Sequence, residues 1–239
     1  MTLGGEEKAG TLFVLATPIG NLKDITLRGL EVLKQVGLIL AESPGFTKRL
    51  LNSYNVKTKV FKFSQHSSPQ EVARYLNLLR NGTDIALVSS AGTPGISDPG
   101  NTLVRNCLRE GIRVTPIPGP CAVTAAYSVS GMASDGFVFI GFLSPKKGKR
   151  QKELMEVRDL KRSVVLFESC HRIHETLKDL FEILGNREMV MVREATKYNE
   201  EIISGPISEL MARLSDRDLK GEITIVVEGI KRVQDDKVM

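Results

Sequence analysis

Residues 83–100 read TDIALVSSAGTPGISDPG. The first six form a short apolar run, centred on Ile85-Ala86-Leu87-Val88, of the kind that makes a buried strand. From Ala91 onward, three glycines and two prolines fall within ten residues, fixing an irregular backbone beyond what a plain strand-to-helix connection needs. Immediately upstream, residues 69–80 open with Pro69 and Glu71 and place Val72, Tyr75, Leu76 and Leu79 on one helical face, with Asn81-Gly82 as the stop. Helix, strand, then a Gly/Pro-rich turn is the repeating unit of a mostly parallel α/β sheet, in which ligands bind outside the carboxyl ends of the strands.

Working outward, the same alternation recurs. Strands are expected near 11–17, 36–41, 58–63, 83–88 and 112–116 in the first half, and near 137–142, 163–168, 188–193 and 222–228 in the second, with helices near 148–160, 172–184 and 206–215. Two α/β domains follow, 11–117 and 118–230, joined near Pro116 to Pro120, with polar ends at 1–10 and 231–239 expected to fray. The halves share an architecture but no sequence repeat. Four Gly/Pro-rich turns fall just after strands: 17–21 (TPIGN), 91–100, 116–120 (PIPGP) and 141–145 (GFLSP). Each either punctuates a loop or exposes backbone groups to a ligand.

Composition narrows the classes. At 239 residues with 41% hydrophobic and 26% charged residues, the chain is an ordinary globular protein with room for two moderate domains. The formal charge is +5, and the whole basic excess lies before Gly119, which permits nucleic-acid binding without requiring it. Three cysteines (Cys107, Cys121, Cys170) without CxxC spacing suggest neither a disulfide framework nor a zinc ribbon, and a reducing cytoplasm fits them. The N-terminus carries Glu6, Glu7 and Lys8 where a signal peptide needs an apolar core, and the longest apolar runs are far short of a bilayer span, so no membrane is expected.

The common nucleotide signatures are missing: neither GxGxxG opening a helix nor GxxxxGK[ST] occurs, which argues against a dinucleotide oxidoreductase or a P-loop NTPase. No GxSxG elbow supports seryl chemistry. His171 and His174 beside Cys170 lack a partner at ligand spacing, so no metal is expected. The run Lys146-Lys147-Gly148-Lys149-Arg150-Gln151-Lys152 carries five cations and no acid. It is either a solvated helix start, where cations oppose the macrodipole, or a polyanion contact. With 9 Phe, 4 Tyr and no Trp, a stacking platform for single strands is not advertised.

In order along the chain come Leu15-Ala-Thr-Pro-Ile-Gly-Asn-Leu22, Asp24-Ile-Thr-Leu-Arg28, Ala91 to Gly100, Pro116 to Pro120, Gly141-Phe-Leu143 before the basic run, Phe167-Glu-Ser169 with His171-Arg172, Arg193-Glu194 with Thr196-Lys197 and Glu200-Glu201, and Gly221-Glu-Ile223. Together this succession, spanning about residues 11 to 230, resembles the small-subunit rRNA (cytidine-2'-O)-methyltransferase branch of the tetrapyrrole methylase superfamily. The resemblance implies an α/β, two-domain class III methyltransferase fold, with a mostly parallel N-terminal sheet and a mixed C-terminal one. It also implies a cytoplasmic homodimer holding S-adenosylmethionine in a cleft and methylating a ribose 2'-hydroxyl in the decoding region. By motif, the cofactor would touch Pro18, Ser90, Ala91, Ile96, Ser97, Cys121, Ala122, Phe167, Ala195, Glu222, Ile223 and Thr224. The RNA would meet Lys146, Lys147, Lys149 and Arg150, while Arg28, His171 and Arg172 would serve either the RNA or the shape of the site.

In-line methyl transfer asks a protein for alignment and exclusion of water, and no metal. A ribose hydroxyl gains from a base as its proton leaves, for which Glu42, His66 and Lys197 are the candidates. The chain departs from the family pattern at Ser90 (usually Asp), at Ser43-Pro44-Gly45 (usually Asp-Thr-Arg), at Ser64 (usually His), at Cys121 (usually Ser) and at Cys170 (usually Pro). Rival readings are a diverged paralogue acting on another RNA position, a tetrapyrrole methylase, and a ribosome-assembly factor that has lost catalysis.

Overall fold

The computed structural model describes residues 9–98, 100–132 and 135–230. The chain forms two compact units that divide after Cys121. The expected frayed ends at 1–8 and 231–239, and Pro99 of the Gly/Pro loop, lie outside the described residues. Gly10, assigned to the frayed end, is instead buried and donates its N–H to Leu79 O (2.7 Å).

The first unit runs β1 (Leu12–Leu15), α1 (Leu27–Gln35), β2 (Leu38–Ala41), α2 (Pro44–Ser53), β3 (Val60–Lys62), α3 (Pro69–Arg80), β4 (Ile85–Val88), α4 (Asn101–Arg109) and β5 (Val114–Ile117). Its sheet has the order β3-β2-β4-β1-β5, and every pair is parallel. Strands β2 and β4 are buried along their whole length, the pattern of a sheet covered on both faces. Leu38, Leu40, Ile85 and Leu87 pack with the apolar faces of α3 and α4. Ile39, Ala41, Ala86 and Val88 pack with those of α1 and α2. The expected helix 69–80 forms with those bounds because both ends are satisfied locally. Ser68 Oγ accepts from Glu71 N, Glu71 Oε2 accepts from Ser68 N, and Pro69 occupies the first turn, where its missing N–H costs nothing.

The second unit runs α5 (Ala122–Ser128), β6 (Phe137–Phe142), α6 (Lys147–Val157), β7 (Ser163–Ser169), α7 (Ile173–Leu184), β8 (Glu188–Arg193), β9 (Glu201–Pro206), α8 (Ile207–Leu214) and β10 (Glu222–Val227). Its sheet order is β6-β7-β10-β8-β9. Only β6–β7 is parallel; the other pairs are antiparallel. Sequence alternation alone extends the parallel style into this half, and here it fails, because period fixes a strand's existence and not its direction. The mixed sheet implied by the family motifs is what forms. Strand β9 escapes a periodicity reading: only Ile202 and Ile203 are apolar, and Gly205-Pro206 looks like a turn. It is an edge strand, where Pro206 opposite Glu188 forfeits no ladder donor.

One face of this sheet carries the larger core, where Leu166, Ile223, Ile225, Met189 and Met191 meet Leu154 of α6, Leu177 and Leu180 of α7, and Leu210 of α8. Arg150 is sunk among them at 1% exposure. Its Nε donates to Asp179 Oδ2 at 2.6 Å, its Nη2 reaches Glu175 Oε2 at 3.4 Å, and Gln151 donates to the other Asp179 oxygen at 3.0 Å. Arg150 is therefore not the RNA contact expected from the basic run. Helical spacing turns it inward from its neighbours, and a guanidinium neutralised inside a core cannot reach a phosphate.

Removing one partner of such a pair strands a buried charge. Asp179→Ala is expected to destabilise the protein by about 3–5 kcal/mol, whereas replacing Arg150 and Asp179 together by Met and Leu restores most of the loss. Urea denaturation of both variants checks this; equal destabilisation by the two would contradict it.

Candidate active site

In the first unit, β1 and β4 are neighbours in register, Leu15 opposite Val88. Their onward connections diverge: β1 leads by α1 to β2 on one side, and β4 leads by α4 to β5 on the other. Such a divergence is a topological switch point, the place where an open parallel sheet leaves a crevice at its carboxyl edge. The turns after β1, β4 and β5 meet there. Thr17 N donates to Gly92 O (2.8 Å) and Gly92 N to Thr17 O (3.0 Å), closing an antiparallel bridge just past the parallel strands. The buried Thr17 hydroxyl donates to Ser89 O at 3.2 Å. Thr93 Oγ1 donates to Pro120 O at 3.1 Å, which draws in the Pro-Gly-Pro turn. Gly92 has φ +84°, and a Cβ there would stand 3.2 Å from Ile19 Cγ2, so both the backbone angle and the packing call for glycine.

Around this bridge stand Pro18, half-buried, Ser90, also half-buried, and Ala91, Ile96 and Ser97, all exposed. Ser97 holds φ +57°, a sparsely populated conformation for a residue with a Cβ. Cys121, half-buried, ends the Pro-Gly-Pro turn. Arg28, in the first turn of α1, donates from Nη2 to Pro116 O at 3.1 Å, a shaping contact between α1 and β5.

Two carboxyls share this edge. Glu42 follows β2 directly, and Asp98 lies at the end of the β4 turn. Burial pushes the Asp98 carboxyl from its ordinary 3.8 up to about 6, the Glu42 charge adds to the rise, and a hydrogen bond with Ser89 partly offsets both. Asp98 is a candidate proton acceptor that motif reasoning missed. It hides in the sequence as one letter of a turn, and only folding brings it within reach of the Glu42 charge. His66 lies on the turn after β3, exposed, with its ring against Gln65 Nε2 at 3.2 Å. That strand is the far edge of the sheet, with β2 between it and β4.

In the second unit, Phe167 and Thr224 are register partners on the face of β7 and β10 that turns away from the large core. Phe139 and Phe142 rings lie 4.9 and 5.4 Å from Phe167 by centroid, and a bulge between Phe139 and Phe142 re-aims the end of β6. Ile223 faces the opposite way into the core at 2% exposure and is paired on both sides, with Glu168 and Arg193, so its side chain is not presented as the cofactor contact expected of it. Ala122 begins α5.

Ala195 sits between two non-glycine residues with left-handed backbone, Glu194 (φ 51°) and Thr196 (φ 65°). A β-branched residue there is strained. Its surroundings over-determine it: Thr196 N donates to Glu200 Oε2 (2.6 Å), Glu222 N to Glu194 Oε1 (3.0 Å), and Lys197 Nζ to both Glu194 Oε1 and Glu222 Oε2 (2.8 Å each). Burial alone would lower the Lys197 pKa, but the hydrogen bonds to these two carboxylates outweigh it and raise it above its ordinary value. Lys197 is thus a locked cation and not the base proposed from sequence, since a base must first lose its proton. Glu222 likewise serves this clamp through its carboxylate.

Arg172 is committed to structure as well, with Nη2 2.6 Å from buried Glu168 and Nη1 donating to Leu143 O at 3.1 Å. His171 beside it is exposed. Lys146, Lys147 and Lys149 are exposed at the start of α6, with Lys149 3.8 Å from Glu153. Among the described residues, no group of three His, Cys, Asp or Glu side chains could hold a metal ion, and no helix is long and apolar enough to cross a membrane.

Known proteins share both the sequence and the fold. The family model for Tetrapyrrole (Corrin/Porphyrin) Methylases matches residues 11–211. Ribosomal RNA small subunit methyltransferase I of Thermotoga maritima is 44% identical over 220 residues, covering 92% of this chain and 99% of that one. The proteins of the same name from Vibrio cholerae (44%, 93% of this chain and 78% of that one) and Escherichia coli O157:H7 (42%, 97% and 82%) are similar to it at comparable levels. Among solved structures, the cobalamin biosynthetic enzyme cobalt precorrin-4 methyltransferase superposes with a TM-score of 0.68 at 19% identity, covering 91% of this chain and 94% of that one. A diphthine synthase gives 0.64 at 15%, covering 91% and 89%. At those identities the two structures speak for the fold alone. With a family model spanning most of its length and relatives above 40% identity along nearly all of it, the chain belongs to the tetrapyrrole methylase family, on the branch of the ribosomal RNA small subunit methyltransferases I.

Proposed function

We propose that the protein transfers a methyl group from S-adenosylmethionine to the 2'-hydroxyl of a decoding-region cytidine in small-subunit rRNA, acting as a cytoplasmic homodimer. What carries the proposal is the 44% identity to a ribosomal RNA small subunit methyltransferase that runs through 92% of the chain, on a fold whose switch-point edge is built from turns. The donor supplies a methyl already activated on a sulfonium. Its methionine and adenine ends need hydrogen-bond donors, acceptors and apolar surface without net charge. The turns at 17–21 and 90–97 offer that set, with Ser90, Ile96 and the peptide groups around the Thr17–Gly92 bridge. Cys121, and in the second unit Ala122, Phe167, Ala195, Glu222, Ile223 and Thr224, are carried over as donor contacts from the family motifs alone.

The chain's own chemical task is to take up the hydroxyl proton. Asp98 and Glu42 suit it. A carboxylate whose pKa is raised to about 6 by burial and a like charge is a stronger base than an ordinary one, and it is still ionised at neutral pH. The family's acid at position 90 is a hydroxyl here, and Asp98 of the same turn supplies the carboxylate. Lys197, held protonated, positions the strained turn at Ala195, while the exposed Lys146, Lys147 and Lys149 contribute sequence-independent phosphate attraction.

Calorimetry is expected to detect binding of S-adenosylmethionine or its demethylated product, and mapping of ribose methylation is expected to show one site lost when the gene is deleted. No binding of either ligand at millimolar concentration would end the proposal. RNA affinity without any methyl transfer, on intact subunits and naked rRNA alike, would favour an assembly factor instead.

Single-turnover methylation is expected to rise with pH through about 6 and level off above it. Asp98→Asn should lower the rate by about 100-fold or more and abolish that rise. Glu42→Gln removes the like charge, lowers the Asp98 pKa and moves the rise toward acid. A rise unmoved in both variants would exclude the pair.

Stability should respond with the opposite sign to activity. A carboxyl whose pKa is raised by folding contributes stability below its ordinary value near 3.8, and that contribution is lost as pH climbs through about 6. Asp98→Asn should therefore stabilise the protein at pH 7.5, by about 2 kcal/mol, and leave it nearly unchanged at pH 4. Thermal melting at the two pH values measures the difference; destabilisation at pH 7.5 would contradict it.

A further inference from the structure

Helix α2 begins at Pro44, two residues after Glu42, at the carboxyl edge of the sheet. Its packing leaves little freedom. Thr47, Leu50 and Leu51 form the buried face; Thr47 N and Oγ1 both bond to Ser43 O at the start; and at the far end Tyr54 Oη donates to Leu22 O at 2.8 Å, in the segment that follows β1. With that face fixed, the first turn presents Phe46 outward at 60% exposure. Arg49, one turn on, lies with its guanidinium carbon 5.4 Å from the Phe46 ring centroid, and Lys48 is exposed beside it.

A single exposed phenylalanine is ordinary on a protein surface. Three features set this one apart: a cation backs the ring, a packed helix fixes it, and only three residues separate it from a carboxylate of the proposed reaction. The stretch 43–45, just before it, is also where the chain leaves the pattern of its family. A ring with a guanidinium near it and the rest of its surface open to solvent offers a nucleobase a π-surface, while Arg49 and Lys48 suit the phosphates that flank the base. Unpaired RNA bases stack on such surfaces, and each stacked base contributes measurably to affinity.

We infer that Phe46, backed by Arg49, is a stacking subsite for one unpaired base of the RNA substrate beside the reacting ribose. This rests on the proposed rRNA methylation and extends it to a contact that no family motif carries. The subsite binds RNA, not the methyl donor, so its loss separates the two affinities.

The chain has no tryptophan, so Phe46→Trp places a single fluorophore at the subsite. Its emission is expected to be quenched when small ribosomal subunits from cells lacking the protein are added, with KM for subunits close to that of the wild type. Phe46→Ala and Phe46→Leu should each raise that KM about tenfold, with S-adenosylmethionine affinity and the melting temperature unchanged, since leucine keeps the apolar surface and loses only the π-face. A wild-type KM in Phe46→Leu, or no quenching by subunits that the wild type methylates, overturns the subsite and leaves the methyltransferase intact. A shift in sedimentation of Phe46→Ala with no change in KM also overturns it, assigning the face to a second copy of the chain. Wild-type protein that neither binds nor methylates the subunits sinks both proposals, and that control tells the two failures apart.

Discussion

The parallel pairing of β1 with β4 is the constraint from which the rest of the first unit follows. Because the two strands are neighbours and their crossovers run to opposite sides, their turns leave at the carboxyl edge the arrangement at which open parallel sheets bind ligands. Two backbone hydrogen bonds between Thr17 and Gly92 then hold the diverging turns together just beyond the last paired residues. Everything assigned to this edge is placed relative to that bridge: Ser90 and Ile96 in the β4 turn, Pro18 after β1, and the Pro-Gly-Pro turn through Thr93. Asp98 enters the same region because the β4 turn is long enough to fold back toward Glu42. The glycines matter here as permission for backbone to approach backbone, and the site gains polar groups that need no charged side chain to present them.

Charge is organised on a different principle in the second unit, where most candidate contacts prove to be internal supports. Arg150 neutralises Asp179 inside the core, Arg172 neutralises buried Glu168, and Lys197 joins Glu194 to Glu222 across a strained turn. The doubled acid of the sequence divides its labour in the same way: Glu200 caps the Thr196 amide, while Glu201 pairs with Arg193 and Arg217. Buried or over-determined pairs of this kind are sensitive to loss of one partner, and they fix geometry more than they add stability. Exposed cations open to a polyanion include Lys146, Lys147 and Lys149 at the start of α6, with Lys48 and Arg49 in α2.

Two places carry conformational or electrostatic strain that exists only in the folded chain. Ser97, Glu194 and Thr196 adopt backbone that a Cβ disfavours, and burial and the Glu42 charge disfavour the ionised form of the Asp98 carboxyl and raise its pKa to about 6. Both conditions oppose folding and persist because the surrounding packing and hydrogen bonds outweigh them. They lie in segments that the family motifs assign to the cofactor, consistent with a site whose precision comes from rigid turns.

The amino-acid order by itself determined the elements whose signals are local. The capped helix 69–80 was legible from Pro69, Glu71 and Asn81-Gly82, and the buried strands of the first unit from unbroken apolar runs, because caps and core faces act over a few residues. The ordered motifs likewise identified the family. Strand direction in the second sheet and the edge strand β9 were not legible, since pairing depends on partners distant in sequence and an edge needs little apolar surface. The same holds for function at single residues. Arg150 and Lys149 are adjacent letters of one basic run, yet one is core and the other surface, because helix rotation against α7 decides it. Only the tertiary structure could bring Asp98 to Glu42, or leave Phe46 open with Arg49 behind it, since burial, ionisation and exposure belong to neighbours in space.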